Sequence, residues 1–224
     1  MRCGLYGKLP CKRDFIAIST PRAFLRVWEP SLEAGLKEGR EQGATGDWTA
    51  IFNSAPIWRF WLGPALCGEA FTGAFMPSVD ALGRMFPLTL AGAASGTDAL
   101  EPPDVAPRDQ WFAEVEDLLL DALDPDAAFE TLVERLAALG AEREQPHENA
   151  LARLFAAMRR EQPALPAETA TFWWTVGGAD CPPLALMREA MPTPATFADM
   201  MSRRQSHLQD AEKENRPQAI VQSG

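Results

Sequence analysis

Residues 76–90, reading MPSVDALGRMFPLTL, constrain this chain more than any other stretch. An apolar run from Ala70 to Met76, interrupted at Thr72 and Gly73, meets Pro77, Ser78, Asp80, Gly83 and Arg84, and a second apolar run begins at Met85. Runs this short, bounded by Pro and Gly, read as strands, so the segment predicts a strand, a polar turn and a second strand. Gly83 tolerates φ > 0 where bulkier residues resist it, and Asp80 and Arg84 place opposite charges four positions apart in a short connection. The turn is built for a fixed shape.

The remaining elements follow from periodicity. Cys3–Tyr6 form a short first strand ending at Gly7, Ile57–Leu62 pair with Phe71–Met76 as a hairpin, and Thr171–Val176 form a late strand ended by Gly177-Gly178. Between these, Phe24, Trp28, Leu32 and Leu36 fall at i, i+4 steps of one helix, which Pro30 kinks or splits near Glu29. Asp47 is a candidate N-cap for a short helix through Phe52. After a Gly, Pro, Asp and Ala-rich connection over 95–107 the period becomes 3.6. One helix is lined by Trp111 or Phe112, Val115, Leu118, Leu119 and Ala122; the next by Phe129, Leu132, Val133, Leu136 and Leu139, with Gly140 closing it. Further helices are expected over 147–160, 183–190 and 194–203. Alternation sends Trp173 and Trp174 to opposite faces of their strand. The fold class is α/β, with a mixed, largely antiparallel sheet of about five strands. One domain over residues 1–205 is expected, with a mobile C-terminal tail over 206–224 that lacks a sustained apolar stripe.

Charge restricts the partners. Residues 1–100 balance at +1 and residues 101–224 at −11, together the net −10 of the chain. Such an acidic surface repels phosphate backbones and anionic lipid, so nucleic acid is not an expected partner. No apolar stretch approaches the roughly 20 residues that span a bilayer, and no cationic-then-apolar signal segment opens the chain, so neither membrane insertion nor export is expected and the predicted location is cytoplasmic.

A search for catalytic chemistry finds little. Gly4-Leu5-Tyr6-Gly7-Lys8 resembles a phosphate loop only faintly, because two residues separate the glycines and Leu9 stands where a Ser or Thr would hold magnesium. The two histidines, His147 and His207, are far apart in sequence and make no metal-ligand or triad pattern. Cys3, Cys11, Cys67 and Cys181 are scattered without a CxxC pair and read as free thiols. Neither a cofactor nor a metal is expected. The polar residues that flank strands, Lys8, Asp14, Ser78, Asp80 and Arg84, are the candidate site. If loops 7–14 and 77–84 share one edge of the sheet these five converge, with an Asp80–Arg84 or Asp14–Arg84 ion pair. They then either pin two loops together or bind a partner. A hydrolase or transferase using Asp14, Asp80, Lys8 and Arg84 is the enzymatic alternative. The acidic helix over 108–124, with Glu114, Glu116 and Asp121, is the trial docking face.

The motifs also resemble a known family. GLYGKLP at Gly4–Pro10, Asp14-Phe15, Trp48, APIWRF at Ala55–Phe60, MPSVD, GRMFPLTL and FWWT at Phe172–Thr175 are similar to the signature of the type VI secretion-associated protein TagF, also called ImpM. The resemblance spans about residues 3–200. One departure is Arg13, where the family usually has Gly; Arg avoids φ > 0. The resemblance implies a three-layer α-β-α sandwich. It also implies a non-enzymatic, post-translational repressor of type VI secretion that engages a forkhead-associated (Fha) scaffold. A structural adaptor within the secretion apparatus is the alternative.

Overall fold

A computed structural model describes residues 1–42, 48–96, 99–139, 149–178 and 181–202. Strands β1 (Arg2–Gly7), β2 (Ile16–Ile18), β3 (Trp58–Leu62), β4 (Phe71–Met76), β5 (Leu88–Ala93), β6 (Thr171–Thr175) and β7 (Leu184–Arg188) form one sheet in the order β2-β1-β5-β4-β3-β6-β7. Every neighbouring pair is antiparallel. The sheet therefore has seven strands rather than about five. The three residues of β2 are too few to show an alternation. The sequence of β7, LALMR, favours a helix by intrinsic propensity, and pairing along β6 from Thr171↔Arg188 to Thr175↔Leu184 overrides it. The β3–β4 pairing holds as predicted, although helix α3 (Pro64–Cys67) lies in its connection.

The other helices are α1 (Arg22–Gln42), α2 (Trp48–Asn53), α4 (Asp109–Asp121), α5 (Phe129–Ala138), α6 (Ala150–Glu161) and α7 (Pro194–Met200). Pro30 does not split α1, which continues through it with Phe24, Trp28, Leu32 and Leu36 buried. The lost N–H of Pro30 is outweighed by that packed stripe. The predicted cap Asp47, the stop Gly140, His147 and the tail over 206–224 lie outside the described residues.

Alternate residues of the same strands enter two hydrophobic clusters. Leu5, Trp61, Ala74, Leu90, Phe172 and Trp174 join the apolar residues of α4, α5 and α6. Tyr6, Phe60, Phe75, Ala91 and Trp173 join those of α1, with Phe52 of α2 and Phe197 of α7. Trp173 and Trp174 thus part as the alternation requires, and both are buried. Trp28 is the centre of the second cluster. Its ring lies 4.5 Å from Phe60, 5.4 Å from Phe75 and 5.8 Å from Trp173, the last nearly parallel at 9°. Its indole N–H donates to Thr89 Oγ1 at 2.9 Å, so a polar atom on β5 fixes the orientation of an otherwise apolar anchor.

The register also decides where the polar loops go. Tyr6 pairs with Thr89 and Met76 with Leu88, so β1 and β4 both end beside the start of β5. The segments 8–15 and 77–87 consequently leave the sheet at the same end. A Cβ on Gly7, at φ +133°, would run into the Pro87 carbonyl, so only glycine lets the two segments approach. Trp28→Ala is expected to cost about 3–5 kcal/mol of stability in urea denaturation. Trp28→Phe should cost clearly less, since most of the ring packing survives; equal losses would contradict the packing role.

Candidate functional site

Four of the five predicted site residues converge where those loops meet. Asp80 follows Ser78 in the turn after β4, and its carboxylate is fully buried. Oδ1 accepts the N–H groups of Leu82 and Arg84, each at 2.9 Å. Oδ2 faces Arg84 Nε at 2.6 Å and Lys8 Nζ at 3.0 Å. The Asp80 N–H donates to the Arg84 carbonyl, the Gly83 N–H donates to the Asp80 carbonyl, and Gly83 sits at φ +76°. An aspartate in a turn is expected to accept backbone N–H bonds in this manner. Two backbone donors and two cations leave no acceptor direction open for a ligand.

The other loop is tied to this turn at four points. Lys8, buried after β1, also donates to the Arg84 carbonyl at 3.3 Å and lies 5.1 Å from the Phe15 ring. Ser78 Oγ donates to the Lys8 carbonyl at 2.8 Å. The Ala81 N–H donates to the Lys12 carbonyl at 2.8 Å, and the Arg84 guanidinium donates to the Arg13 carbonyl. The ion pair that forms is therefore Asp80–Arg84 and not Asp14–Arg84. Asp14 is exposed and makes no ion pair or side-chain hydrogen bond among the described residues. Arg13, standing where the family usually has Gly, keeps an ordinary negative φ and contributes its carbonyl to the staple.

Burial by itself would raise the Asp80 carboxyl. The backbone N–H of Arg84, the Lys8 and Arg84 side chains and the Leu82 N–H overcome it and hold the group well below the usual carboxylate range. Asp80 is therefore an anion at neutral pH, far from the poise a general acid or base needs. Burial likewise pushes the Cys3 and Cys67 thiols up to about 11, so neither is a thiolate there. An open depression lined by Glu114, Asp117, Leu118 and Arg135 lies between α4 and α5 and shares no residue with the staple.

Three contacts escaped the sequence reading. Arg59 on β3 pairs with Glu116 of α4 at 2.6 Å, largely buried, with its guanidinium 5.0 Å from the Phe112 ring. The signal was present: an arginine inside the apolar run WRFWL needs a buried anion. Glu116 is therefore no part of a solvated docking face, and Asp121 pairs with Arg135 across to α5. Tyr6 Oη donates to Glu29 Oε1 at 2.7 Å, tying β1 to α1. Phe15, 51% exposed, and Leu82, 62% exposed, are presented by the stapled loops.

Fold and site together define an antiparallel α/β scaffold in which four of the five polar signature residues, Lys8, Ser78, Asp80 and Arg84, fix two loops against each other. The model of the TagF N-terminal domain family, type VI secretion system-associated, matches residues 4–139. The chain belongs to the TagF family. The crystal structure of PA0076 from Pseudomonas aeruginosa PAO1 is similar at a TM-score of 0.71 and 29% identity, covering 90% of this chain and 94% of that one. No curated protein matches the sequence.

The staple makes stability depend on pH with a fixed sign. The folded Asp80 carboxyl titrates below its ordinary value of 3.8, so its contribution is complete above that value and is lost as pH falls toward the depressed native one. Asp80→Asn should flatten the fall of Tm between about pH 5 and pH 3 relative to wild type. At pH 7, Asp80→Ala should lower Tm by several degrees and Asp14→Ala by less than about one. Superimposable pH profiles for wild type and Asp80→Asn would remove the staple.

Proposed function

We propose that this chain is a non-enzymatic, post-translational repressor of type VI secretion that acts in the cytoplasm by occupying a forkhead-associated scaffold. Membership of a type VI secretion-associated family supplies the context. The observation that carries the non-enzymatic reading is the saturation of Asp80: its two oxygens already accept from Leu82, Arg84 and Lys8, and nothing remains to activate a substrate. A hydrolase or transferase would need Asp14 and Asp80 facing one reacting centre, and Asp14 lies outside the network. Repression by occupancy needs only buried area and complementarity, about 800 Å² per partner for a standard interface.

The layered architecture belongs to the same reading. Two clusters built on alternate residues of one sheet, each completed by different helices, support a three-layer α-β-α sandwich. Among the described residues no helix is long and apolar enough to cross a membrane. A scaffold fixed this way offers its partner a surface that needs little reordering on binding.

Repression by occupancy depends on stoichiometry. Overproduction should abolish release of the secreted tube protein, and deletion of the gene should raise release several-fold with transcript levels unchanged, measured by immunoblot of culture supernatants beside quantitative transcript analysis. Release unaffected by either change would reject the repressor reading.

A further inference from the structure

The staple has a product that its own stability does not require: two large apolar side chains held in water. Phe15 packs edge-to-face on Phe86 at 4.7 Å and lies over the Lys8 ammonium, yet half of it faces solvent. Leu82 stands at the tip of the other loop, where its own N–H is fixed by Asp80 and the neighbouring Gly83 opens onto free space. Residues 13–15 and 81–84 are all exposed, and both segments belong to the single stapled unit. Exposed single apolar residues are ordinary on a protein surface; two presented by loops that a buried carboxylate cross-links are not scattered singles.

Charge selects the occupant. In a chain of net charge −10, these two loops carry Lys8, Lys12, Arg13 and Arg84 against only Asp14 and Asp80. Arg84 keeps half of its side chain exposed while two of its nitrogens are committed to Asp80 and Arg13. The net −11 of residues 101–224 disfavours an acidic segment, whereas these two loops, with four cations against two carboxylates, attract one. Screening limits that attraction to about 8 Å at physiological salt, which favours one docking orientation over others. Aromatic and arginine side chains on a preorganised surface are what binding hot spots are made of.

We propose that the Phe15–Leu82–Arg84 platform is the docking surface, and that its occupant is an acidic protein segment bearing apolar anchors. The partner's identity as the forkhead-associated scaffold rests on the function proposed above; the surface and its chemistry do not.

The test is a titration of the purified full-length protein with the purified scaffold, using wild type and the double variant Arg13→Glu, Leu82→Asp. Only the Arg13 carbonyl and the Leu82 N–H enter the staple, so the variant keeps every staple bond and its Tm should match wild type. The expected result is binding weakened at least about tenfold, with wild-type affinity falling as salt rises. A variant that binds like wild type, with binding lost instead in Glu114→Lys, Asp117→Lys, would overturn the platform and leave scaffold binding standing. If wild type does not bind the scaffold, the partner reading falls, and a second measurement decides the platform. Fluorescence anisotropy with a labelled peptide of alternating Asp and Leu should show binding to wild type and about tenfold weaker binding to the variant and to the Lys-for-Asp peptide. Equal binding across these pairs, no binding at all, or a self-association of wild type that the variant abolishes, would each overturn it.

Discussion

The buried carboxylate of Asp80 is the constraint on which the loop end of this sheet depends. A carboxylate removed from water is costly unless nearly every lone pair is used, and here two backbone N–H groups, a guanidinium and an ammonium use them. The partners come from different places in the chain: Leu82 and Arg84 from the same turn, Lys8 from the loop after β1. That pairing converts a local turn preference into a long-range contact, and Ser78, Ala81 and Arg84 add hydrogen bonds to the backbone of the first loop. The sheet makes the meeting possible, because the strand register delivers both loops to one end.

Much of this was legible in the sequence, and the reasons are local. MPSVDALGRMFPLTL announces its turn through Asp80, Gly83 and Arg84, and the α4 stripe of Trp111, Phe112, Val115, Leu118 and Leu119 is buried as its spacing demands. What stayed hidden depends on tertiary pairing. The β2 segment is recognisable only beside β1, and LALMR becomes a strand only because β6 offers an edge. The choice between Asp14 and Asp80 as the partner of Arg84 was likewise open, since both flank strands and both carry the same charge. Geometry decides it: Asp80 lies within the hydrogen-bonded turn that also presents Arg84, whereas Asp14 points outward beyond the loop crossing.

The division of labour between the two faces of the sheet is equally physical. One face is an aromatic assembly around Trp28, with Phe60, Phe75, Trp173 and Phe197 within reach of its ring. The other is largely aliphatic with Phe112, Phe155, Phe172 and Trp174 at its centre, closed by a buried Arg59–Glu116 pair that ties β3 to α4. Phe15 and Leu82, like Val105, Leu120, Leu154 and Val176, are large apolar side chains left exposed, and these two stand together at the stapled end.

The central claim is that Asp80 is a structural anion that holds the two loops in place. It is tested most directly by following the side-chain carboxyl carbon of Asp80 by NMR through an acid titration of the folded protein. The account predicts that Asp80 remains ionised at every pH at which the native spectrum persists, down through the ordinary carboxylate value of 3.8. A midpoint at or above that value would show a carboxyl that accepts protons readily, contradict the staple, and return Asp80 to the list of groups able to do chemistry.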